Sequence, residues 1–155
     1  MNLEDQVQLV AFRVGPQEFA LEILQVERIL RYRRPAPLPR APDFLEGVVT
    51  YDGAPVPVVD LRKRLELPAP VDEQTRLMVL ALEDQRVAVV VDEVREVVRV
   101  DSTTIIAPPP LVRGLAATYI AGLLSRGERT IILLHAAKLL TATERLALAE
   151  VGAAG

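Results

Sequence analysis

The feature that most constrains this chain is that it repeats itself. Shifted by 68 residues, QLVAFRVGPQEFALEILQVERIL (8–30) falls on RLMVLALEDQRVAVVVDEVREVV (76–98). Leu9/Leu77, Gln17/Gln85, Ala20/Ala88 and Val26/Val94 are then identical, and most other apolar positions match in kind. A shift of 75 lays GVVTYDGAPVPVVDLRKRL (47–65) on GLLSRGERTIILLHAAKLL (122–140), with Gly47/Gly122, Lys63/Lys138 and Leu65/Leu140 identical. The offsets differ by 75 − 68 = 7, which places a seven-residue insertion around Ile105–Ala121. A Pro-rich connector separates the blocks in both halves: Pro35, Pro37, Pro39 and Pro42 in the first, Pro108–Pro110 in the second. Such a chain folds as two pseudo-equivalent halves.

The repeated unit is made of strands. Segments 7–14, 77–82 and 87–91 are short, rich in Val and Leu, and bounded by turn residues. Segments 48–51 and 55–60 flank Asp52-Gly53, a hairpin signal, and 120–124 and 130–134 flank Arg126-Gly127 in the same way. Pro57 marks its strand as an edge or a bulge, because proline cannot donate to a ladder. Single helical turns are expected at Asp43–Glu46 and Leu61–Leu65. Thr141-x-x-Glu144 reads as a capping box opening a C-terminal helix to about residue 151. Five short strands per half cannot leave their edges open, so each half is expected to close into a small barrel. The expected fold is mainly β, one domain of 155 residues with barrels at about 7–66 and 75–140 and a groove between them. Val10, Phe12, Leu21, Val49, Val58, Leu80, Val89, Leu124 and Leu133 are the expected core.

Catalysis finds no footing in these residues. There is no Cys and one His, so thiolate sites, two-His metal sites and His-Cys dyads cannot be built. His135, in ILLHAAKLL, reads as a structural strand-end residue. GxSxG, GxxxxGK[ST] and GxGxxG are all missing. The acid pairs Asp72-Glu73 and Asp92-Glu93 are poor partners for acid/base work, since neighbours on a strand point to opposite faces, and they read as solvated turn residues. An enzyme, a cofactor and a metal are therefore not expected. A net charge of −3 argues against a nucleic-acid binder, which needs a basic footprint. The acidic N-terminus lacks a signal peptide's basic region, and no apolar run is long enough for membrane insertion. The expected location is the cytoplasm.

Function must then come from surfaces. RILRYRRPAPLPRAP (28–42) concentrates Arg28, Arg31, Arg33, Arg34 and Arg40 in the first connector, as a solvated loop, an acidic-partner site or a polyproline ligand. A second candidate is Val26-Glu27-Arg28-Ile29 with its repeat mate Val94-Arg95-Glu96-Val97. Strand alternation places Val26 and Arg28 on one face, and Glu27 and Ile29 on the other.

At DFLEGVVTYDGAPVPVVDLRKRL the residues become specific. This string resembles the signature of CheW-like chemotaxis coupling (adaptor) proteins, GV-x-N-L-R-G-x-x-x-P-V-x-D-L-R. VAVVVDEVREVVRV, the PPP-to-YIAGLL passage and FALEILQVERIL are similar to further blocks of that family, so the resemblance covers residues 7–140. It implies two SH3-like five-stranded β-barrels and a scaffold without catalysis. It also implies two partners, the regulatory domain of a CheA-type histidine kinase and the cytoplasmic tips of chemoreceptors. The resemblance assigns Val26, Ile29, Gly47, Val94 and Val97 to partner binding. Two charges depart from the pattern: Arg28 stands where the family commonly has Glu, and Asp52 where it commonly has Arg. If the two face each other, an ion pair of reversed polarity results, and both join the expected partner-binding set. The family's usual Asp near the end of the last strand is here His135. The implied function is an adaptor in a chemosensory array. The alternative is an inhibitory or free-standing regulator of a dedicated, non-flagellar system that binds only one partner.

Overall fold

The computed structural model describes residues 5–67, 70–83, 85–108 and 118–141, together with Glu144 and Ala147. Among the described residues ten strands follow in order: β1 (Gln6–Val14), β2 (Gln17–Glu22), β3 (Val26–Arg31), β4 (Leu45–Tyr51) and β5 (Ala54–Asp60). After the one-turn helix α1 (Leu61–Arg64) come β6 (Arg76–Ala81), β7 (Arg86–Val91), β8 (Glu93–Asp101), β9 (Ile120–Arg126) and β10 (Arg129–Leu134). The turn expected at Leu61–Leu65 is α1, capped by the Asp60 carboxylate, which accepts from the Arg62 N–H at 3.0 Å. Asp43 and Phe44 form a turn rather than a helix, and β4 begins directly after them. The capping box is present: the Thr141 N–H donates to Glu144 Oε1 at 2.9 Å and the Glu144 N–H to Thr141 Oγ1 at 3.1 Å. Most of the expected C-terminal helix lies outside the described residues.

The strands build two five-stranded sheets, β8-β1-β2-β10-β9 and β3-β6-β7-β5-β4. The duplication is explicit in the pairing register. Val10↔Leu21 in β1–β2 recurs 68 residues on as Met78↔Val89 in β6–β7, and Val49↔Val56 recurs 75 residues on as Leu124↔Ile131. The bulges repeat too, between Val26 and Arg28 on β3 and opposite Ala11/Phe12 on β8. The barrel boundaries 7–66 and 75–140, however, do not hold, because each half gives its first hairpin to the other half's sheet. Hairpin β1–β2 completes the sheet of β8, β9 and β10, and β6–β7 completes that of β3, β4 and β5. The reason lies in the hairpins, which are apolar on both faces: Leu9, Val10, Ala11 and Phe12 are all at most 2% exposed. A strand greasy on both sides is stable only between two layers.

Three cores result. Leu9, Ala20, Val98, Val100, Leu124, Ile131 and Leu133, drawn from all five strands, fill the inside of one curled sheet. Their repeat mates Leu77, Ala88, Val49, Val56 and Val58 do so in the other, with Leu30 and Tyr32 at its margin. Between the sheets lies the largest core, centred on Val10, Phe12, Leu21, Met78, Leu80 and Val89. All nine residues expected in the core are buried. Pro57 is not on an edge strand, since β5 runs between β4 and β7. The parallel ladder to β7 starts only at Val58, so the missing N–H costs no bond there. The hairpins use different turns: Asp52 and Gly53 both have positive φ (55° and 76°), as in type I′, whereas after β9 only Gly127 does (61°), as in type II′. No helix among the described residues is long and apolar enough to cross a membrane.

Candidate interaction surface

β3 and β8 are pseudo-equivalent and each is the edge of its sheet. Cross-strand partners share a face, and Ile29 lies opposite Met78 while Val97 lies opposite Val10, both members of the inter-sheet core. Ile29 and Val97 project past the rim of that core and stay 39% and 53% exposed. Val26 and Val94 pack partly against it. The two apolar pairs expected from sequence thus lie on matching edge strands, Val26/Ile29 on β3 and Val94/Val97 on β8.

The charges beside these patches are mirror images in sign. Next to Val97, Arg129 is the hub: its Nη2 meets Glu18 Oε2 at 2.7 Å and its Nη1 meets Glu96 Oε1 at 2.8 Å. Hydrogen bonds to Glu18 first, then Glu96, raise the Arg129 pKa above its ordinary value. Arg95 reaches Glu18 at 3.7 Å. On the other sheet Arg86 takes the place of Glu18, and Glu27 that of Arg95, paired at 3.1 Å. Arg86 also approaches Asp52 at 3.8 Å and lies over the Tyr51 ring at 5.5 Å. Arg28 stands where Glu96 does, but the residue corresponding to Arg129 is Ala54. Arg28 therefore has no ion pair among the described residues.

The expected Arg28–Asp52 pair is thus not formed; Asp52 pairs with Arg86. The cause is the bulge at Glu27, which sits unpaired between Val26 and Arg28 and breaks the simple alternation. Glu27, not Arg28, meets the Arg86–Asp52 side.

Gly47 is buried, with φ 144°, where the first connector crosses β4. Ala36 bridges to Val48 there, and a Cβ on Gly47 would overlap the Ala36 carbonyl. Its repeat mate Gly122 meets the second connector alike, with a Cβ falling 2.6 Å from Ile105 Cγ2. The close approach Gly47 permits is to the chain's own backbone.

Sequence reasoning missed a buried charge cluster. Arg62 clasps Asp60 with Nε and Nη2, both at 2.9 Å, and reaches Asp92 Oδ1 at 3.4 Å. Asp92 Oδ2 accepts the Gly15 N–H at 2.6 Å, tying the β7–β8 junction to the β1–β2 turn. The hydrogen bond to Asp60 raises the Arg62 pKa despite opposing burial. Asp92, read as a solvated turn residue, is 4% exposed. The VPVVDLR and VVVDEV blocks meet in this cluster. It has no counterpart in the other half, where His135, Ala137 and Leu24 stand at the corresponding positions. His135 is exposed and makes no side-chain cap on the turn that follows it.

A CheW-like domain model matches residues 8–144. The chain is 34% identical over 138 residues to the chemotaxis protein CheW of Klebsiella aerogenes, covering 88% of this chain and 83% of the relative. It is 34% identical over 142 residues to the protein FrzA of Myxococcus xanthus, covering 90% and 88%. The crystal structure of the scaffolding protein TtCheW from Thermoanaerobacter tengcongensis superposes with a TM-score of 0.79 at 24% identity, over 89% of this chain and 90% of that one. With the signature blocks joined in one buried cluster and the family match spanning nearly every strand, this chain belongs to the CheW-like domain family.

Proposed function

We propose that the protein is a non-catalytic adaptor of bacterial chemosensory signalling, coupling the cytoplasmic tips of chemoreceptors to a CheA-type histidine kinase. The observation that carries this reading is the pair of pseudo-equivalent edge strands, β3 and β8, set on separate sheets that share one core. Each presents an exposed apolar residue flanked by charges, and a coupler needs two such edges at once. Because the flanking charges are inverted between the edges, each edge favours a different partner and repels the other's. Val26, Arg28 and Ile29, with Asp52 beside them, form one docking set, and Val94 and Val97 form the second. Gly47 supports the first set by holding the connector against β4. The site of action is the cytoplasmic face of a receptor array.

Co-purification tests this. Tagged protein from its native cells should bring down kinase and receptor together. Recovery of one partner alone, whichever it is, would replace the adaptor with a single-partner regulator.

A further inference from the structure

Ion pairing is unevenly spread over this protein. Arg13, Arg62, Arg64, Arg86, Arg95 and Arg129 each meet a carboxylate within 4.0 Å. Arg28, Arg31, Arg33, Arg34 and Arg40, on β3 and the connector after it, meet none among the described residues, and all five are exposed. Among the described residues Arg33 donates only to the Thr50 carbonyl, at 2.8 Å. The stripe also contains an electrostatic conflict. Arg31 lies directly opposite Arg76 in the β3–β6 ladder, and like charges so placed repel. Arg76 spends its own donors on the carbonyls of Glu73 and Thr75. Asp72, which lines the same shallow cleft, is engaged by the Gln74 N–H and the Thr75 hydroxyl. At the corresponding place on the other sheet Arg99 faces neutral Gln8.

We infer that this stripe, from Arg28 through Arg34 with Ile29 between its charges, is a docking surface for an acidic protein segment carrying an apolar residue among its carboxylates. Four guanidiniums without a carboxylate partner among the described residues, on a chain of net charge −3, are complementary to a local negative partner, not to a polyanion spread over the whole surface. Bound carboxylates would also quench the Arg31–Arg76 repulsion, so the isolated protein carries an unfavourable contact that its complex relieves. Exposed Ile29 supplies the apolar anchor, a requirement of a protein partner and not of a nucleic acid. The inference deepens the adaptor reading by giving the β3 edge a partner of defined charge.

The test is fluorescence anisotropy with the full chain and a labelled acidic peptide carrying a central Leu pair. Three further probes are a charge-reversed Lys twin, a single-stranded oligonucleotide and phosphatidylserine vesicles. The acidic peptide should bind, weaken with added salt, and lose at least about tenfold in affinity to the Arg28→Glu/Arg31→Glu variant. The milder Arg28→Gln/Arg31→Gln variant should lose several-fold, and its thermal midpoint should stay level or rise as the Arg31–Arg76 repulsion goes. Arg99→Glu/Arg126→Glu, two arginines on the other sheet with no ion pair among the described residues, should change affinity less than about twofold. Equal loss in that control, equal binding of the Lys twin, or tighter binding of the oligonucleotide or vesicles would each overturn the inference. Its failure is separable from that of the adaptor reading. Kinase and receptor still recovered with the Arg28→Glu/Arg31→Glu variant would remove the stripe and leave the adaptor; peptide binding without recovery of either partner by the wild type would do the reverse.

Discussion

Arg62 and Asp92, 30 residues apart in the chain, meet at 3.4 Å with side chains only 8% and 5% exposed. They join the end of β5 to the start of β8, and so link the two sheets at the point where the second half of the chain crosses from one to the other. Removing one partner of a buried pair strands the other charge. Arg62→Ala is expected to lower stability by about 3–5 kcal/mol, and Asp92→Ala by nearly as much. Asp92→Asn can still accept the Gly15 N–H and should cost less. Urea unfolding of the three variants checks the order.

Gly47 gives a sharper expectation about folding than about binding. Gly47→Ala forces a Cβ into the Ala36 carbonyl at a φ that L residues rarely adopt. It should destabilise by about 1–3 kcal/mol or more. Gly53→Ala, at a hairpin tip with open space around it, should cost about 1 kcal/mol from backbone strain alone. A drop in thermal midpoint for Gly47→Ala no larger than for Gly53→Ala would show that the connector is free to lift away.

Much of this was legible in the sequence. The two offsets reappear residue for residue as ladder registers, because a one-residue slip would turn every Val and Leu to the wrong face. The exchange of hairpins was not legible. Alternation along β1 says that both faces are apolar, but not which sheet claims which face. The bulge at Glu27 hid the true partner of Asp52, since one extra residue re-aims everything near it. Asp92 was hidden by its neighbour: an acid pair at a strand end looks like a solvated turn unless Arg62, distant in sequence, is known to sit beside it.

The sheet junction is also tied by Arg64, whose Nη2 meets Glu144 Oε2 at 2.7 Å. Burial pushes the Glu144 carboxyl pKa up, but the bonds from Arg64 and the Thr141 N–H outweigh it and hold it below the ordinary value of 4.5. A depressed carboxylate contributes stability above its unfolded pKa and loses it as pH falls through the folded one. Stability of the wild type should therefore fall on acidification below about pH 4.5, more steeply than that of Glu144→Gln. Urea midpoints measured across that range decide it; parallel curves would mean the pair adds nothing.

Folding and docking should separate between β10 on the one hand and β3 and β8 on the other. Leu133→Ala, in the core inside one curled sheet, should cost about 2–5 kcal/mol. Ile29→Ser and Val97→Ser remove side chains that already face water and should cost under about 1 kcal/mol. Yet each should weaken capture of one partner. A serine variant that melts early while binding normally would place its residue in the core instead.

Coupling itself is tested most directly by kinase autophosphorylation in receptor-containing membranes with and without this protein. Receptor control of the kinase should appear only when the protein is added, and should be lost with Ile29→Asp or Val97→Asp at an unchanged thermal midpoint. Kinase activity indifferent to the protein, or altered equally when receptors are omitted, would contradict the adaptor role.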